Sequence, residues 1–299
     1  EYTSAWRLRQ GDLNRMSPKQ FLKKILVPVD GSNPSFMAQQ TAANIAKKTG
    51  ASVTAFHMLQ ELNLGYTLPT TLRDELIDSV EQHANQIETS ALTLFKREKV
   101  KADVSRLKGA DAADAILKLS EKNYDLIVMG ASGEDISDPN LLGSVTKKVM
   151  RHTKLPTLIT KNTSPLSKIL VCTDGSKNAV LALNYAAEFS KQAGSKLTLL
   201  SVVEKKIRDL SPETAKKAGE QVIQNTVKAA GKKELKLDEL VKFGPAANTI
   251  TEVAKEGNYD LIVMGSRGLG AVSRFLIGSV SDNVCHKAEC SVLIVPTGT

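Results

Sequence analysis

Aromatic residues make up only 4% of the 299-residue chain, too few for the stacking platform of a single-strand nucleic-acid binder. Cysteine is scarcer still: Cys172, Cys285 and Cys290 are the only three, and no two of them form a CxxC pair. That leaves no disulfide framework and no zinc-ligand spacing, and it fits a reducing cytoplasm. The four histidines, His57, His83, His152 and His286, form no HExxH pair, so surface or packing roles are expected of them. No apolar run reaches the ~18 residues that would span a bilayer. The GxxxxGK[ST] phosphate loop is missing, and no GxGxxG follows the first apolar strand, so neither P-loop NTPase chemistry nor a dinucleotide fingerprint is indicated.

What is present is ordinary in amount and unusual in arrangement. Hydrophobic residues are 41% and charged residues 24%, as in soluble globular chains. The net charge is +8, and it divides evenly: up to Thr163 there are 22 basic and 18 acidic residues, and beyond it 18 and 14. Without a dense basic block, this reads as a solvated lysine-rich surface with no nucleic-acid footprint. Residues 1–17 carry no apolar signal stretch, and ordered sequence is expected to begin just after Met16. They are expected to be a leader or flexible arm.

The rest of the chain is written twice. "ILVPVDGS" at 25–32 returns as "ILVCTDGS" at 169–176, with six of eight positions identical. "YDLIVMG" at 124–130 returns letter for letter at 259–265. The join falls in the polar, proline-bearing "KNTSPLSK", which predicts domains at 18–162 and 163–299. In the second copy, apolar strand-like runs alternate with helical patterns. Gly194 stops one helix, Ser211 and Pro212 start the next, and Gly231 closes it. Five such alternations predict an α/β fold with a parallel sheet covered on both faces.

In sheets of this kind, ligands sit beyond the carboxyl ends of the strands, where strand order reverses. Two strand ends are distinctive. The first strand ends in Asp-Gly-Ser: Asp30, Gly31 and Ser32, or Asp174, Gly175 and Ser176. These aspartates are either turn residues or carboxylates accepting hydrogen bonds from a ligand's ribose or base edge. The fourth strand opens a G-x2-G-x9-G-S frame: Gly265, Gly268, Gly278 and Ser279 in the second copy, and Gly130, Gly133, Gly143 and Ser144 in the first. Bare backbone followed by a helix start suits a phosphate, because converging N–H groups and the helix dipole both favour an anion. Ser266 and Arg267 lie inside the frame and are assigned to the site with it.

Taken together, "ILVPVDGS", "YDLIVMG" and the glycine frame resemble the universal stress protein family, in a tandem form covering about residues 20–299. The resemblance implies two doubly wound five-stranded parallel sheets in the order 3-2-1-4-5, of the adenine nucleotide alpha hydrolase-like kind. It also implies packing as an intramolecular pseudo-dimer through the last strands, "PTLIT" and "SVLIV". It implies ATP or a related adenine nucleotide as ligand, with or without Mg²⁺. Asp174 and the backbone near Val202 would hold adenosine, and the frame would hold the phosphates. The first-copy equivalents of that adenosine pair are Asp30 and Met58.

The copies are unequal. The stretch after Gly133 carries Glu134, Asp135 and Asp138, together with Pro139, whereas the stretch after Gly268 carries Arg274. A carboxylate about 6 Å from a phosphate charge costs roughly 3 kcal/mol at an effective dielectric near 20. The second copy is therefore expected to be the better nucleotide site, and the first weaker or dependent on a metal to bridge its acids. The function expected is that of a cytoplasmic ATP-binding stress-response regulator, with a regulatory protein partner unspecified and homodimerisation through domain surfaces open. Two alternatives stand beside it: a slow ATPase or nucleotide phosphotransferase, for which Arg267 and Arg274 are candidate clamps but no base can be named, and a nucleotide-free interaction module.

Overall fold

The computed structural model describes residues 21–60, 69–133, 142–232, 234–268 and 277–296. The expected leader, and with it Glu134, Asp135, Asp138, Pro139 and Arg274, lies outside the described residues.

In the first half the elements run β1 (Lys24–Val29), α1 (Asn33–Thr49), β2 (Ser52–Gln60), α2 (Thr70–Arg97), β3 (Ala102–Gly109), α3 (Ala112–Ser120), β4 (Leu126–Gly130), α4 (Ser144–His152) and β5 (Thr157–Thr160). The second half repeats the order as β6 (Lys168–Thr173), α5 (Lys177–Ala193), β7 (Lys196–Val203), α6 (Lys205–Leu210), α7 (Pro212–Ala229), β8 (Asp238–Phe243), α8 (Ala246–Glu256), β9 (Leu261–Gly265), α9 (Ser279–Lys287) and β10 (Ser291–Val295). The short helix α6 is an addition that the sequence pattern did not predict.

Local chemistry sets these boundaries. Ser32 and Ser176 cap α1 and α5 by accepting the N–H of Ser35 and Ala179, which satisfies one of the otherwise unpaired first-turn donors. Gly50 and Gly194 end the same helices at φ 74° and 70°, a conformation that glycine adopts without strain. Ser211 caps α7 with Pro212 in its first turn.

The described strands join one ten-stranded sheet in the order β3-β2-β1-β4-β5-β10-β9-β6-β7-β8. Within each half the pairings are parallel and follow 3-2-1-4-5. The halves meet where β5 and β10 pair antiparallel, with Leu158 opposite Leu293 and Ile159 opposite Val292. Two five-stranded sheets thus continue into one another. Lys161 reinforces the seam: its ammonium donates to the carbonyl of His286 at 3.0 Å.

Strand alternation sends side chains to two faces. Ile25, Val27 and Val29 enter a core that runs unbroken across both halves under α1, α2, α5 and α7. Leu26 points the other way, into the core beneath α3 and α4. The repeated Tyr-Asp pair also has a structural role. Oδ2 of Asp125 accepts the backbone N–H of Lys23 and Lys24 at 2.8 and 2.9 Å, and Oδ2 of Asp260 accepts those of Ser167 and Lys168 at 2.7 and 2.9 Å. The neighbouring ammoniums of Lys24 and Lys168 stack over Tyr124 and Tyr259 at 4.6 and 4.5 Å. Each pair anchors the start of its domain's first strand.

Candidate functional site

Each domain has a cavity of about 440 Å³ at the carboxyl ends of its first and fourth strands, a size typical of small-molecule sites. Because β5 and β10 run antiparallel, the two cavities open at opposite ends of the continuous sheet.

The Asp-Gly-Ser turns form the first wall. Gly31 and Gly175 have φ of 87° and 80°, which a side chain would strain. The turn brings the serine N–H back to the aspartate: Ser32 and Ser176 each donate to Oδ1 of Asp30 and Asp174 at 3.0 Å. Oδ2 has a different neighbour. A Cβ on Gly133 would lie 2.9 Å from Oδ2 of Asp30, and one on Gly268 would overlap Oδ2 of Asp174. Each aspartate therefore spends one oxygen on the turn and sets the other against the second glycine of the frame. The turn role is realised in both copies, and Asp30 and Asp174 each line a cavity.

The three frame glycines meet different needs. A Cβ on Gly265 would come within 2.6 Å of Asn178 Cβ, and one on Gly130 within 2.7 Å of the Pro34 carbonyl carbon. The first glycine thus lets α1 or α5 start hard against the strand end, a packing role that the phosphate argument alone did not supply. The third closes the loop: Gly278 N–H donates to Ser266 O at 2.7 Å, and Gly143 N–H to Ala131 O at 2.8 Å. These amides are committed within the protein. Gly278 is then the N-cap of α9, which has no side-chain cap, and the following amides have no intrahelical acceptor. Ser279, Val280 and Ser281 bring that first turn to the cavity. Ser281 Oγ donates to Gly265 O at 2.9 Å, and Thr146 Oγ1 to Gly130 O at 3.0 Å, fastening each helix to its strand end. Uncapped first-turn amides with an aligned helix dipole offer an anion several donors at once.

Asp174, Val202, Gly265, Arg267, Gly268, Gly278 and Ser279 all line the C-terminal cavity. Asp30, Met58, Gly130, Gly133, Gly143 and Ser144 all line the N-terminal one. Ser266 is the exception among the expected residues. It is buried, its hydroxyl finds no partner among the described residues, and it is absent from the cavity wall. Its backbone serves instead, donating to Val295 O at 2.8 Å and so tying the frame to β10.

Sequence reasoning missed several features in and beneath the wall. Cys172 lines the C-terminal cavity two residues before Asp174, and the period of two along β6 was the signal for it. Burial pushes its thiol far above the ordinary range, with Cys290 adding to the shift. Ile250 and Ala246 close the same cavity from α8. Asn178 Nδ2 donates to Arg267 O at 3.0 Å, fixing the backbone of an arginine that lines the wall. Among the described residues, no group of three His, Cys, Asp or Glu side chains is placed to hold a metal ion.

The universal stress protein family model matches residues 22–161 and again 165–296. A curated relative carrying that family name, from Staphylococcus aureus strain USA300, is 33% identical over 138 residues, covering 43% of this chain and 83% of its own. The crystal structure of a universal stress protein from Archaeoglobus fulgidus DSM 4304 superposes with a TM-score of 0.72 at 27% identity, covering 91% of this chain and 98% of that one. A functionally unknown protein from Pseudomonas aeruginosa PAO1 superposes with a TM-score of 0.66 at 17% identity, covering 93% of both chains, a likeness of fold alone. The chain belongs to the universal stress protein family and carries two of its domains in tandem.

Proposed function

We propose that the C-terminal cavity binds ATP or a closely related adenine nucleotide, and that occupancy regulates the protein's contacts in a cytoplasmic stress response. Membership of the universal stress protein family supports the stress-response role. The observation that carries the nucleotide reading is the convergence of Asp174, Val202, Gly268, Gly278 and Ser279 on one cavity of about 440 Å³. These residues come from four separate stretches of chain, and the cavity offers distinct surfaces for the two ends of a nucleotide. Leu200, Val202, Ile250 and Met264 give an apolar wall suited to a base, and Asp174 supplies a carboxylate for the ribose hydroxyls. The α9 first turn, the bare frame and Arg267 supply donors and positive charge for the phosphates. Mg²⁺ would enter with the nucleotide, bound by its phosphates.

Two measurements test this together. Purified protein is heat-denatured and the released small molecules are identified by mass spectrometry. Nucleotide-free protein is then melted with and without millimolar ATP. An adenine nucleotide in the supernatant, or a rise in melting temperature that grows with the logarithm of ATP concentration, is the expected result. Neither release nor shift would overturn the reading.

A further inference from the structure

The two cavities are equal in size, at about 440 Å³ each, so volume does not distinguish their ligands. Their walls do. Just before the second frame glycine, the C-terminal cavity has Arg267, whereas the N-terminal cavity has Ser132 at the same place. A guanidinium brings a permanent positive charge and several donors for a phosphate, whereas a hydroxyl brings one donor and no charge. The backbone beneath differs as well. Asn178 holds the Arg267 carbonyl at 3.0 Å, while the matching position in the first domain is Pro34, which has no side-chain donor. No lysine or arginine lines the N-terminal cavity among the described residues.

The apolar parts of the walls differ in shape. Phe56 and Met58 at the end of β2 stand where Leu200 and Val202 stand at the end of β7. The N-terminal cavity therefore offers bulkier side chains at that strand end and less positive charge.

We infer that the N-terminal cavity takes an adenosine-type ligand with little phosphate charge, a nucleoside or nucleoside monophosphate, while the C-terminal cavity takes the polyphosphate. This rests on the reading of the cavities as adenine-nucleotide sites. The tandem is then a two-input receptor that reads a high-charge and a low-charge member of one ligand class on a single sheet.

The test is calorimetric titration with adenosine, AMP and ATP, each with and without Mg²⁺, on proteins with one cavity disabled. Gly268→Asp sets a carboxylate against Asp174 and leaves the N-terminal cavity to report. Gly133→Asp does the same to Asp30 and leaves the C-terminal cavity. The expected result is that Gly268→Asp protein binds adenosine or AMP at least about tenfold tighter than ATP, and that Gly133→Asp protein shows the reverse order. Ser132→Arg added to Gly268→Asp moves the preference at least about fivefold toward ATP. Should either glycine variant melt early, Ser132→Arg and Arg267→Ser on intact frames carry the same comparison as a two-site titration. An ATP preference in the N-terminal cavity, with or without Mg²⁺, overturns the inference and leaves the proposed function standing. No heat from any of the three ligands on the unmodified protein overturns both.

Discussion

Gly268 and Asp174 are in such close contact that a methyl group on the glycine would overlap Oδ2 of the carboxylate. The two residues lie 94 positions apart in the chain, on the loops after β9 and β6. Their first-domain counterparts, Gly133 and Asp30, repeat the relationship with 2.9 Å between the glycine's would-be Cβ and Oδ2. Contact is kept in both copies although the residues between the glycines differ. The pair therefore joins the two strand ends at the point where the sheet's order reverses.

Substituting this glycine affects the ligand before it affects the fold. Gly268→Ala displaces the Asp174 carboxylate from the cavity wall. We expect ATP affinity to fall about tenfold, equivalent to about 1.4 kcal/mol, with the melting temperature little changed. Gly194→Ala is the opposite control. At φ 70° and with nothing within 4 Å of its would-be Cβ, that glycine is needed for backbone conformation alone. Its replacement lowers stability by about 1 kcal/mol and leaves ATP affinity intact. Calorimetric titration and urea denaturation of both variants separate the two effects.

A charged cluster in the first domain makes its stability depend on pH. Nδ1 of His57 on β2 lies 3.0 Å from Oε1 of Glu88 on α2. Arg106 on β3 holds both oxygens of Glu88 at 2.6 and 2.9 Å, and it also holds Glu81 at 2.7 Å and Asn85 at 2.6 Å. Lys108 pairs with Glu81 at 2.7 Å. Burial pushes the Glu88 carboxyl up, but the hydrogen bonds and charges of Arg106 and His57 outweigh it and hold the group below its ordinary 4.5. A carboxylate depressed in the folded state stabilises the fold above its unfolded value and loses that contribution as pH falls through its folded value. Glu88→Gln is therefore expected to lose about 1–3 kcal/mol at pH 7, from imperfectly satisfied buried partners. The difference from the parent protein shrinks below about pH 4. Urea titrations across that range check it, and a difference independent of pH would refute it.

The three thiols are expected to be silent in the native protein. All are buried. Burial pushes Cys285 up to about 12 and Cys290 up to about 11, and Cys172 further still. The reactive species is the thiolate, so Ellman's reagent at pH 8 should label none of the three within minutes, and all three in guanidinium chloride. Rapid labelling of one native thiol would show a cavity or core more open than described.

Much of this molecule could be read from sequence because its information is local and written twice. The strand runs, the Ser-capped and Gly-stopped helices and the glycine frame each depend on residues a few positions apart. The pairing of "PTLIT" with "SVLIV" followed from the family resemblance, and both strands are buried throughout. What escaped depended on tertiary neighbours. The burial of Ser266, the approach of Asn178 to Gly265 and the Glu88–Arg106 clamp are visible only once strands far apart in the chain lie side by side. His57 was expected in a surface or packing role. It is buried on the face of β2 opposite to Met58, and its partner Glu88 comes from α2 and is itself held by Arg106 from β3. The repeated Tyr-Asp pair was noticed as repetition, but its anchoring of β1 and β6 needed the sheet register to emerge.

The account stands or falls on whether the α9 first turn and the glycine frame receive the phosphates in the C-terminal half. Amide chemical-shift mapping of ¹⁵N-labelled protein during titration with Mg-ATP tests this most directly. Saturable shifts centred on Gly265, Gly268, Ser279 and Val280, with smaller movements at Val202 and Asp174, are the predicted result. Unmoved amides at those positions, or shifts concentrated elsewhere on the sheet, would contradict it.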